Sequence, residues 1–73
     1  MNNIKTAREL FESIEGKTTD YLTAIVVDDQ KSTGPRAHLV GEFAHIDDAR
    51  ESFAPHHNVE SFIFSNRSQV IYS

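Results

Sequence analysis

The run Tyr21-Leu22-Thr23-Ala24-Ile25-Val26-Val27 constrains this chain more than any other stretch. Six of its seven side chains are apolar, and β-branched residues gather at its end. Such a run suits a central β-strand covered on both faces, because successive side chains of a strand point to opposite sides of the sheet. The rest of the chain has to supply those covers.

A helix precedes the run. Ile4, Ala7, Leu10, Phe11 and Ile14 recur at helical spacing and form one apolar stripe. Asn2 or Asn3 is expected to cap its start, and Gly16 stands where a left-handed terminating residue belongs. After the run, the polar segment 28–36 contains Gly34-Pro35, a turn signal. The next strand, 36–45, places Leu39, Gly41 and Phe43 on one face, with His38, Val40 and Glu42 on the other. A short second helix follows over 46–55. Asp47 or Asp48 is expected to cap it, Ile46, Ala49 and Phe53 mark its buried side, and Pro55 stops it.

The closing segment Glu60-Ser61-Phe62-Ile63-Phe64-Ser65-Asn66-Arg67-Ser68-Gln69-Val70-Ile71-Tyr72-Ser73 reads as a hairpin turning at Asn66-Arg67. A two-residue turn there sets Phe64 against Gln69, Ile63 against Val70, Phe62 against Ile71 and Ser61 against Tyr72. Phe62, Phe64 and Ile71 then share one face, and Ile63, Val70 and Tyr72 share the other. The predicted fold class is α+β, in the order α-β-β-α-β-β. Its expected form is a four-stranded, mostly antiparallel sheet with two helices on one face. On that arrangement the second face stays open. Ile63, Val70 and Tyr72 become the expected partner or dimer interface, since contiguous exposed apolar patches mark contact sites.

Seventy-three residues form a single domain, 1–73, whose core is small for its surface. There is no cysteine, so disulfides cannot reinforce it, which fits a reducing compartment. The start of the chain lacks the basic segment and continuous apolar run of a signal peptide, and no stretch approaches the roughly 18 apolar residues of a membrane span. A cytoplasmic location is the expectation. The net charge of −4, with the seven Lys and Arg residues scattered, argues against direct nucleic-acid binding.

No catalytic signature is present. His38, His45, His56 and His57 show no zinc-ligand spacing, and adjacent His56 and His57 would diverge in an extended chain. His45 with Asp47 or Asp48 could form an acid–base pair, but those carboxylates already have a helix-start role. Ser32 and Thr33 beside Gly34 lack the spacing and lysine of a phosphate loop. The sequence therefore predicts no catalytic residue, no metal, no cofactor and no enzyme activity.

The expected function is that of a small acidic protein-interaction module, a homodimer that regulates or inhibits a larger partner. Virus- and mobile-element-encoded inhibitors belong to this class. The alternatives are a small metal- or ligand-binding domain using the histidine-rich segment, and an enzyme whose site forms at an oligomer interface.

Overall fold

The computed structural model describes residues 3–14, 21–30, 32, 34–67 and 69–73. The elements are α1 (Asn3–Ser13), β1 (Leu22–Gln30), β2 (Gly34–Phe43), α2 (Ile46–Glu51), β3 (Glu60–Phe64) and β4 (Val70–Tyr72). The strands form one antiparallel sheet in the order β2-β1-β3-β4. This is the α-β-β-α-β-β fold expected from the sequence, with the apolar run at the centre of the sheet. Among the described residues no helix is long and apolar enough to cross a membrane.

The helices do not share a face. Ala7 and Phe11 of α1 pack with Ile25, Val27, Phe62 and Phe64. Ala49 of α2 and Phe53 just beyond it pack with Ala24, Val26 and Ile63. Alternate residues of β1 thus serve two cores, one on each side of the sheet. The expected open face is occupied by α2. Topology supplies a reason. Both β2 and β3 run antiparallel to β1, so they are parallel to each other, with β1 between them. The β2-α2-β3 connection is a crossover, and crossovers of this kind have a strongly preferred hand. That preference commits α2 to one face, and α1 is free to cover the other.

Burial follows from this arrangement. Thr23 through Val27 are all buried, and Phe11, Ile25 and Ile63 have no exposed surface. Thr23 is the polar member of the run, and its Oγ1 is buried without a hydrogen-bond partner.

Two bulges alter the predicted register. In β2, Ala24 pairs with Gly41 and Ile25 with Leu39, so Val40 is the extra residue. Leu39 and Phe43 therefore fall on different faces, not on one. Phe43 packs with the α2 core, while Leu39 opposes Ile25 and is 47% exposed. Gly41 makes room for the Phe43 ring, whose nearest atoms would lie 3.2 Å from an added Cβ. In β4, Ile63 pairs with Tyr72 and Phe64 with Val70, which leaves Ile71 unpaired and 42% exposed. The connection is wider than a two-residue turn. The Ser65 N–H donates to the Gln69 carbonyl at 2.8 Å, and the Ser65 hydroxyl accepts from the N–H groups of Arg67 and Gln69.

The helix ends also differ from expectation. His45, in extended conformation, is the N-cap of α2 and makes no side-chain capping bond, while Asp47 and Asp48 lie in the first turn. Asn3 is inside α1 and buried; Asn2 and Gly16 lie outside the described residues. Strands β1 and β2 extend through most of the predicted 28–36 loop, and Gly34 takes a φ of 78° where they turn. Asn58, with a φ of 65°, redirects the chain into β3, a conformation Asn tolerates better than most residues.

Two expected outcomes follow from the packing. Phe11→Ala should cost about 3–5 kcal/mol in a chemical-denaturation measurement, the range for emptying a buried phenylalanine site. Thr23→Val keeps the shape and removes the unpaired hydroxyl. It should gain about 1 kcal/mol and raise the melting temperature by about 4–8 °C; a lower melting temperature would show that the hydroxyl is satisfied.

Candidate functional site

The predicted interface residues do not form one surface. Ile63 is fully buried under α2. Val70 lies against the α1 core, on the other side of the sheet. Tyr72 is half-buried, with its ring stacked on Phe53 at 5.9 Å between centroids and Arg50 5.5 Å from its centre. The bulge at Ile71 separates Val70 from Tyr72, and a hairpin of strict two-residue alternation could not have shown this.

The same stacking pattern occurs at α1. Phe11 stacks on Phe64 at 5.1 Å, and the Arg8 guanidinium lies 5.9 Å from the Phe64 ring centre. The residues responsible are Ala7-Arg8-Glu9-Leu10-Phe11 and Ala49-Arg50-Glu51-Ser52-Phe53, a short repeat that the sequence reading did not single out. In each copy the alanine is fully buried, the phenylalanine meets a strand aromatic, and the arginine three residues earlier covers that strand ring. No rotation carries one half of the chain onto the other. A two-fold axis exchanging antiparallel β1 and β3 must stand perpendicular to the sheet. Such an axis leaves each face in place, whereas α1 and α2 lie on different faces.

All four histidines are exposed, and among the described residues no three His, Asp or Glu side chains converge as a metal site. His45 serves as the backbone cap of α2. Ser32 is exposed, and Thr33 lies outside the described residues.

A concavity lies elsewhere among the described residues. A cleft of about 560 Å³ is lined by Asn3 and Ile4 of α1, Val59, Glu60, Ser61 and Phe62 at the start of β3, and Tyr72 and Ser73 at the end of β4. Sheet pairing explains its position. Along one side, β3 pairs with β1 from Glu60 to Phe64. On its other side, β4 reaches only Ile63 and Phe64. Among the described residues, Glu60, Ser61 and Phe62 have no strand on that outer side, and the cleft lies beside them.

The cleft's polar groups are tied to the fold. Asn3 Nδ2 donates to Glu60 Oε1 at 2.9 Å and joins the start of α1 to the start of β3. Asn3 is 6% exposed, and its Oδ1 has no hydrogen-bond partner. Glu60 itself is exposed. Phe62, almost fully buried, forms apolar floor, with Ile4 and Val59 as further apolar wall. Ser61 and Glu60 are strand neighbours and point to opposite faces, so they do not compose a nucleophile–base pair. The sequence signal for this site was faint: nothing in Asn3 or Glu60 separates them from other surface polar residues until α1 and β3 come together.

Asn3→Asp tests the electrostatics of the link. A second carboxylate, buried against Glu60, should lower stability by about 2–3 kcal/mol at pH 7. Burial and the like charge would raise the folded-state pKa of the introduced carboxyl above its unfolded value. The loss should therefore shrink as pH falls through that raised pKa, because protonation then favours the folded state. Denaturation midpoints of wild type and variant between pH 7 and pH 4 would reveal it, and a constant difference would refute it.

No protein-family model matches the chain, and it shows no significant similarity to curated proteins or to solved structures.

Proposed function

We propose that this chain is a non-enzymatic protein-interaction module that regulates or inhibits a larger partner through the cleft between α1 and the β3–β4 edge. The observation that carries this reading is the cleft itself, with Ile4, Val59 and Phe62 as apolar lining and the exposed Glu60 among its polar groups. Ile4, 36% exposed on the cleft wall, supplies apolar contact area.

Binding fits the cleft better than catalysis does. Its titratable side chains are Glu60 and Tyr72, and the Tyr72 ring is engaged with Phe53 and Arg50. A carboxylate side chain without a paired acidic, basic or nucleophilic side chain offers a contact rather than a reaction. Self-association loses its original motive, because α2 covers the face on which a homodimer was expected.

The reading is tested by affinity capture from a lysate of the source cells, with wild type and Ile4→Asp as baits. The substitution is at the surface and should leave the fold intact by circular dichroism. A specific partner should be retained by the wild type and lost by the variant. Equal retention by both would remove the cleft as the interaction surface.

A further inference from the structure

We draw no further inference here: the strongest candidate, the apolar patch on the outer strand β2 where the exposed Leu39 follows Ala37 along the α1 side of the sheet, carries nothing, because nothing in the structure shows what covers it.

Discussion

The structure depends on β1 being buried on both faces. Five consecutive residues, Thr23 to Val27, lie under cover, and from Ala24 to Val27 they divide alternately between two cores. Neither core is large. Among the described residues the α1 side is built on six buried residues and the α2 side on five. Because both grip the same backbone, loss of packing on one side releases the strand that the other side uses. A chain of 73 residues without disulfides thereby gains a cooperativity that two separately supported layers would lack. The unpaired hydroxyl of Thr23 is a cost of that arrangement, since a buried residue flanked by a strand on either side has few routes to a side-chain partner.

Each helix is held to the sheet by the same small device. A buried alanine lets the helix approach closely, a phenylalanine one turn later stacks on a strand ring, and the arginine between them shields that ring from water. Stacked aromatic pairs contribute about 0.5–1.5 kcal/mol beyond their buried area, and exposed cation–π contacts about 0.5–1 kcal/mol. The pattern is economical for a short helix. α2 has only six residues, yet its Arg50 and the following Phe53 both meet Tyr72. The absence of any rotation relating the two halves makes the repeated residues a shared local solution, not a mark of a symmetric fold.

Element order and the strand composition of the sheet were legible because they rest on periodicity: the Ala7–Phe11 stripe, the Thr23–Val27 run and the β-rich closing segment. The run even states that both faces need cover. What it does not state is which element covers which face, because that depends on the hand of the β2-α2-β3 crossover, a property of three elements together. The interface of Ile63, Val70 and Tyr72 was misread for a more local reason. One extra residue, Ile71, reverses the facing of everything after it, and no glycine or proline announces that bulge. The same holds for Val40, although Gly41 beside it is a visible trace. The cleft left only a faint trace, since it depends on a contact between residues 57 positions apart.

Sheet edges invite uncontrolled association, and this fold limits them. β2 carries Pro35, which cannot donate a backbone hydrogen bond, and the Val40 bulge interrupts its regular pairing. β4 has three residues and its own bulge. Neither edge presents a long, regular template. The first residues of β3 are different: their register against β1 is continuous, and the polar link from Asn3 to Glu60 fixes the start of α1 beside them. Among the described residues the pairing of Glu60, Ser61 and Phe62 is with β1 alone, so the shape of this part of the sheet rests on β1 and on that link.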